Sequence, residues 1–331
     1  MVRLVHSLLK KRSDMSKQQI KQLIQNKMLN SALPSSDNTG SDLIETGIKG
    51  VQLFKVTQSM RCAPAVYEPC VVAIVNGAKE AILDGKHFVY DENQYMCCPM
   101  SMPVEAGTPT ASPDNPLLGV IISLDTKVMT ELSIAMATSR VNKHTLNNAP
   151  QGLALAKWDT AFTSSLLRLL ELVDKPVDMS VLGEGRLREL YYAVLKGEAG
   201  QTAQRAFGVG NEIARSINYL SSRLHEAVTI DDIAAKVGVS RAVLHRKFKE
   251  ATTMSPIQFV KSMRLNTAAM KIAAGMNVSA AAMTVGYVSS SQFSREFKRM
   301  YGQSPKQWSQ AKELPGELVE QAINQATNLR N

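Results

Sequence analysis

No uninterrupted apolar run in the 331 residues approaches the roughly 20 needed to cross a bilayer. The N-terminus, MVRLVHSLLKKRSD, carries only a short apolar stretch among Arg3, Lys10, Lys11 and Arg12, and no small-residue cleavage pattern follows it. The expectation is a cytoplasmic protein with no membrane contact. Cysteine is scarce: Cys62, Cys70, Cys97 and Cys98 all fall in the first third. Cytoplasmic thiols stay reduced, which argues against a disulfide framework, and no C-x2-C pair offers a zinc site. That leaves inert thiols or a redox or electrophile sensor at the adjacent Cys97 and Cys98. Histidine is missing where a metal-dependent barrel enzyme needs several: only His87 occurs in the strand-rich region, and no His-x-His appears. Beside Lys86 it reads as a surface residue. No nucleophile triad or phosphate-cradling glycine loop is recognisable either, so neither an enzyme, nor a metal, nor a cofactor is expected.

Positive charge, in contrast, is present in excess and unevenly placed. The net charge is +9, and residues 211–310 hold 14 Lys/Arg against 6 Asp/Glu, a balance of +8. An excess confined to about a third of the chain attracts a polyanion, and nucleic acid is the first candidate. A solubilising surface explains the charge alone equally well, so other signals must decide.

Apolar periodicity divides the chain. Residues 15–31 read as a polar helix with Ile20, Leu23, Ile24 and Met28 on one stripe, followed by a linker, SALPSSDNTG. From about 42 to 125, VQLFKV, CVVAIV, AILDG, HFVYD and GVIISL are short strand-like runs separated by turn residues, which suggests a small barrel or sandwich. DTKVMTELSIAM, TAFTSSLLRLLELV and VLGEGRLRELYYAVL then carry helical spacing. The stripe Leu166, Leu167, Leu170 and Val173 suits either a partner helix in a dimer or the chain's own core. The fold class is α+β. The domain limits expected are an N-terminal helix and linker at 1–41, a β-domain at 42–135, a helical dimerisation or linker region at 136–204, a helical domain at 205–310 and a tail at 311–331.

The strongest signal is a duplication. TIDDIAAKVGVSRAVLHRKFKEATTMSP (Thr229 to Pro256) and VSAAAMTVGYVSSSQFSREFKRMYGQSP (Val278 to Pro305) share Gly, Phe-Lys and Ser-Pro at a spacing of 48–49 residues. In the first copy Thr229 and Asp232 form a capping box, Ile233, Ala234 and Val237 a buried stripe, and Gly238 a tight turn. Ser240 caps the next helix, in which Leu244 and Phe248 point inward and Arg241, Ala242, His245, Arg246 and Lys249 outward. In the second, Gly286 turns, Ser289 caps, Phe293 and Phe297 point inward, and Ser290, Ser291, Ser294, Arg295 and Lys298 outward. Each copy has helix-turn-helix logic, with Arg246 and Arg295 the best candidates for base or phosphate contact and Lys249 and Lys298 for phosphate. Between them Ser255 and Pro256 open, and Gly275 ends, a helix of about 18 residues, or roughly 27 Å. That length sets two recognition helices about one DNA turn, near 34 Å, apart. One such unit packs in helical proteins as often as it binds DNA; two units inside the basic window decide for double-stranded DNA.

The segment 211–310 resembles the DNA-binding domain of AraC/XylS transcription regulators. The resemblance rests on Gly286-Tyr287, on Gln292 through Arg299, on Tyr301-Gly302-Gln303-Ser304-Pro305, and on Arg264-Leu265 with Ala268. It implies seven helices, with recognition helices near 241–251 and 290–300. Ala281 stands where a large aliphatic is usual and Tyr287 where Phe is commoner, so a less tightly packed second unit is expected. Its serines imply weak base discrimination. Residues 42–135 resemble the N-terminal domain of one branch of the family, through Tyr67-Glu68-Pro69, Gly77 with Lys79, Tyr90, Met102-Pro103-Val104 and Ala111-Ser112-Pro113; Asn76 replaces the commoner Gln. This implies a cupin-like β-barrel that binds a small effector. Tyr67, Glu68, Lys79, Tyr90 and Tyr95 are the candidate contacts, with plain barrel architecture as the other explanation for them. The resulting expectation is an effector-responsive activator, dimeric and in contact with RNA polymerase. The alternatives are a ligand-independent architectural DNA-binding protein and a thiol-responsive regulator using Cys97 and Cys98.

Overall fold

A computed structural model describes residues 2–30, 41–138, 152–208, 212–226 and 228–310. The chain opens with helix α1 (Val2–Asn30) and continues through nine strands: β1 (Ser41–Glu45), β2 (Val51–Val56), β3 (Met60–Tyr67), β4 (Cys70–Asn76), β5 (Ala78–Leu83), β6 (Lys86–Asp91), β7 (Gln94–Cys98), β8 (Met102–Thr108) and β9 (Leu117–Ser123). Helix α2 (Thr126–Thr138), strand β10 (Ala154–Lys157), and helices α3 (Thr160–Leu170), α4 (Pro176–Lys196) and α5 (Gly200–Phe207) follow. Seven helices complete the described chain: α6 (Glu212–Ser221), α7 (Ile230–Val237), α8 (Arg241–Thr252), α9 (Pro256–Ala273), α10 (Val278–Thr284), α11 (Ser290–Tyr301) and α12 (Pro305–Gln310). The mixed α and β architecture is the one expected. The linker at 31–40 and the tail at 311–331 lie outside the described residues.

The strands form two antiparallel sheets, in the orders β1-β2-β9-β4-β7-β10 and β3-β8-β5-β6. The sheets pack on each other without closing, which is a cupin-like jelly roll rather than a closed barrel. Strand β10, from a stretch that reads as helical, extends the larger sheet by pairing with β7. Apolar strands of that sheet need cover on both faces, which explains the unbroken burial of CVVAIV in β4. Helix α1 supplies that cover, packing against β2, β4 and β9 through Ile20, Ile24 and Met28. Leu23 of the expected stripe is instead exposed. Lys21 Nζ donates to Asn76 Oδ1 at 2.8 Å, and Lys27 pairs with Asp174, so the helix is pinned by polar contacts at its margins.

Helix α3 lies against α1 and α4. Leu166 and Leu170, half of the stripe offered for dimerisation, are buried in the chain's own core, and Leu167 and Val173 are half-buried against it. The core-packing explanation holds for that stripe. Helix α9 docks on β3 and β8, joining the helical part to the smaller sheet.

Candidate nucleic-acid interface

The first helix-turn-helix is α7 and α8. Thr229 accepts from the Asp232 backbone N–H at 3.1 Å while the Asp232 carboxylate accepts from the Thr229 N–H at 2.9 Å, the reciprocal cap expected. That carboxyl sits below its usual range because the Thr229 hydroxyl and backbone N–H donate to it. Gly238 takes φ +76°, a left-handed turn that glycine enters without steric cost. Ser240 then accepts from Val243 N–H to start α8. Leu244 and Phe248 are fully buried, and Phe248 meets Phe259 of α9 edge-on at 5.2 Å. Arg241, Ala242, Arg246 and Lys249 are exposed on the opposite side, with His245 half-buried beside them.

The second unit, α10 and α11, repeats the plan with different parts. Asn277 caps α10, and Ser289 accepts from Gln292 N–H at 3.2 Å to cap α11. Gly286 has φ +86°, and a side chain there would lie 2.7 Å from the Leu224 carbonyl oxygen. Arg264 of α9 binds the same loop, donating to the carbonyls of Leu224 at 2.8 Å and Glu226 at 2.7 Å. The segment after α6 is therefore the seat on which the second turn rests. Phe293 and Phe297 are buried, while Ser290, Ser291, Arg295 and Lys298 are exposed and Ser294 half-buried. The looser packing expected from Ala281 does not describe the core: Ala281 is buried, and Tyr287, Phe293, Phe297, Tyr301 and Trp308 form a connected set of ring contacts beside it. Burial and the Glu296 carboxylate that accepts from its hydroxyl both raise the Tyr287 pKa.

Electrostatics distinguish the two faces. Arg246 pairs with Glu250 at 3.0 Å and Arg241 with Asp231 at 3.5 Å, both in water-exposed settings. Such pairs contribute about 0–1 kcal/mol and release readily to a phosphate. Arg295 makes no ion pair among the described residues. The contact set read from the sequence leaves out Gln292, which is exposed on the first turn of α11, and Arg299 and Lys306, which extend its basic surroundings. Their signal was the helical period, which places Gln292 and Arg299 seven residues apart on one side.

In the sandwich the candidate effector residues separate. Tyr67, Lys79 and Tyr90 come together: the two phenol oxygens are 3.4 Å apart, and Lys79 and Tyr90 are direct cross-strand partners. Glu68 is half-buried and accepts from Ser101 Oγ. Tyr95 stacks on Phe162 of α3 at 4.0 Å, on the pleat face opposite Cys98, so its surroundings are those of a core residue. Cys97 and Cys98 are fully buried, and desolvation raises both thiols well above the ordinary value. Cys98 also donates to the Met100 carbonyl at 3.1 Å. A nucleophilic thiolate is disfavoured at both.

A buried amide on α9 joins the two regions. Asn266, buried on α9, donates through Nδ2 to the carbonyls of Ala65 on β3 at 2.8 Å and Val104 on β8 at 2.9 Å. Its Oδ1 accepts from the Tyr301 hydroxyl, at the end of α11, at 2.7 Å. The amide thus has strands on one side and the second recognition helix on the other.

Comparison with known proteins agrees with this arrangement. Residues 47–202 match the family described as the AraC-type transcriptional regulator N-terminus, and residues 233–311 match a helix-turn-helix domain family. The chain is 27% identical over 143 residues to the raffinose operon transcriptional regulatory protein RafR of Pediococcus pentosaceus, covering 43% of the chain and 51% of that regulator. It is 30% identical over 90 residues to the regulatory protein SoxS of Salmonella typhimurium, covering 27% of the chain and 84% of SoxS. The matched part thus spans about half of the first relative and most of the second. Among solved structures, ToxT of Vibrio cholerae shares the fold with a TM-score of 0.52 and 14% identity, over 79% of this chain and 98% of ToxT. No helix among the described residues is long and apolar enough to cross a membrane. With both halves matched and a shared architecture, the chain belongs to the AraC/XylS family of transcription regulators.

Proposed function

We propose that this chain is an effector-responsive transcription activator that places α8 and α11 in successive major grooves of one DNA face. The observation that carries the reading is the pair of capped units, each with an exposed face that includes Arg and Lys, joined by the 18-residue α9. Arg241, Ala242, His245, Arg246 and Lys249 form the first contact set; Ser290, Ser291, Ser294, Arg295 and Lys298 form the second, with Gln292 added. Arginine reads guanine O6 and N7, and the lysines neutralise phosphate. The reading assigns the chain no catalytic step, places it in the cytoplasm with the DNA, and has it act as a homodimer in contact with RNA polymerase. Residues 42–135, extended by β10, sense the effector and 205–310 bind DNA.

Two observations favour a sensor over a purely architectural protein. ToxT has been solved bound to an unsaturated fatty acid and to (E)-4-(8-methylnaphthalen-1-yl)but-3-enoic acid, which supports a small effector for a shared fold. The Asn266 contact supplies a route by which strain in β3 or β8 reaches α11. Sequencing the genomic fragments retained by the purified full chain tests the reading. Enrichment of discrete promoter sites is expected; uniform retention of all fragments would favour an architectural role.

A further inference from the structure

Lys79 is a half-buried charged side chain of the sandwich with no ion-pair partner among the described residues. It lies on β5, alternating with the buried Ala81 and Leu83. Its ammonium stands 5.7 Å from the ring centre of Phe54 on β2 and 5.7 Å from that of Tyr67 on β3. Those strands belong to different sheets, so the charge sits between the two layers. Phe54 is held there by Gly119 of β9, where any side chain would come within 2.5 Å of the ring. Across the ladder from Lys79, Tyr90 is buried with its hydroxyl beside that of Tyr67.

Nothing described in this space neutralises the ammonium. Its ionisable neighbour is Cys70, whose own thiol burial pushes up to about 12, so it is uncharged at neutral pH. Glu68 is engaged by Ser101 and makes no ion pair with Lys79. Desolvation correspondingly lowers the Lys79 pKa. Aromatic faces compensate a half-buried cation only in part. A lysine set between two aromatic faces without a counter-ion has the signature of a functional group rather than a packing one.

We propose that the effector is an organic monocarboxylate, its carboxylate ion-paired with Lys79 and hydrogen-bonded by the Tyr67–Tyr90 hydroxyl pair, its apolar body lying against Phe54 and the tyrosine rings. A single ammonium without a guanidinium matches one negative charge, and the aromatic walls disfavour a strongly hydrated phosphate dianion. The inference rests on the effector-responsive reading above and names the ligand chemistry of that site.

Thermal melting of the full chain with straight-chain monocarboxylates of two to ten carbons and with benzoate, each beside its primary amide, tests it. At least one acid raises the melting temperature while its amide does not. Lys79→Met weakens that acid's apparent affinity at least tenfold, and the unliganded variant melts no lower than the wild type. Lys79→Arg, which keeps the charge, retains the shift, so loss through misfolding is distinguished from loss of the cation. Equal action of acid and amide, undiminished binding by Lys79→Met, or no shift with any acid would overturn the proposal. Monosaccharides and the amides serve as the neutral panel. Binding of one of these equally to wild type and Lys79→Met refutes the anion yet preserves an effector-binding sandwich, whereas failure of both panels counts against the effector-responsive reading itself.

Discussion

The two helix-turn-helix units follow one plan but are anchored differently. The first packs its apolar side into the core that runs on through the sandwich: Ile233, Val237, Leu244 and Phe248 belong to the same buried cluster as the strands. The second has a separate cluster, built on Ala281, Phe293, Phe297 and Trp308 around the far half of α9. The first therefore shares the stability of the whole chain, while the second depends on its own aromatic core and meets the sandwich through Asn266. Their reading faces differ in the same sense. The arginines of α8 are held by acids, whereas Arg295 of α11 is not, so the second face meets DNA with a cation already released.

Phe297→Ala should give the largest effect and test the separation most directly. Truncating this fully buried ring, which contacts Phe293, Tyr301 and Trp308, is expected to destabilise the second unit by about 3–5 kcal/mol. Trp308 lies in this core and Trp158 in the sandwich region, so fluorescence of Trp158→Phe follows the second unit alone. An early Trp308 transition, ahead of the main melt, is the expected outcome. A single transition shifted as a whole would mean that the two clusters unfold as one.

Arg295→Ala tests the difference between the faces. If Arg295 makes a bidentate base contact, operator affinity falls by about 1–3 kcal/mol. Arg246→Ala should cost less, because Arg246 must first leave Glu250. Fluorescence anisotropy with an enriched site measures both; equal losses would remove the distinction drawn from the ion pairs.

These contrasts were unevenly legible in the sequence. Caps, turns and inward faces of both units follow from residues within four positions of one another, so helical spacing places Thr229, Ser240, Leu244, Phe293 and Arg295 correctly. The strands were harder. MRCAPAVY and MPVEAGT, which became β3 and β8, contain Pro64 and Pro103, and proline normally demotes a strand reading. The first is an edge strand and tolerates its proline; Pro103 is the second residue of β8, ahead of the stretch that pairs with β5. Tyr95 looked like an effector contact because nothing local tells which sheet face a helix will cover. Asn266 gave no signal at all, since its partners Ala65 and Val104 lie 201 and 162 residues away.

Tyr301→Phe sharpens the question of how the second unit is restrained. The ring packing survives, but Asn266 Oδ1 loses its donor, a change of about 0.5–1.5 kcal/mol. If this contact holds α11 in a state poorly suited to DNA, the variant binds an enriched site severalfold more tightly without effector. Unchanged affinity would make the contact structural only.

The smallest effect expected is a pH dependence that separates the units by their carboxylates. Asp232 in the first is held below its ordinary value of 3.8 by hydrogen bonds from the Thr229 side chain and backbone. Glu296 in the second would be raised by burial from 4.5, but the hydrogen bonds from Tyr287, Lys261 and Gln292 outweigh burial and lower it. A carboxyl lowered on folding contributes stability that is present above its unfolded pKa and lost as pH falls through the folded value. Acid therefore weakens both units, beginning below about pH 4.5 for Glu296 and below about 3.8 for Asp232. Glu296→Gln should flatten the acid limb of the Trp308 transition and leave the main melt unchanged, and Asp232→Asn should do the reverse. If Asp232→Asn flattens the Trp308 limb instead, the second unit draws its stability from the first, and the separation of the two cores fails at its most sensitive point.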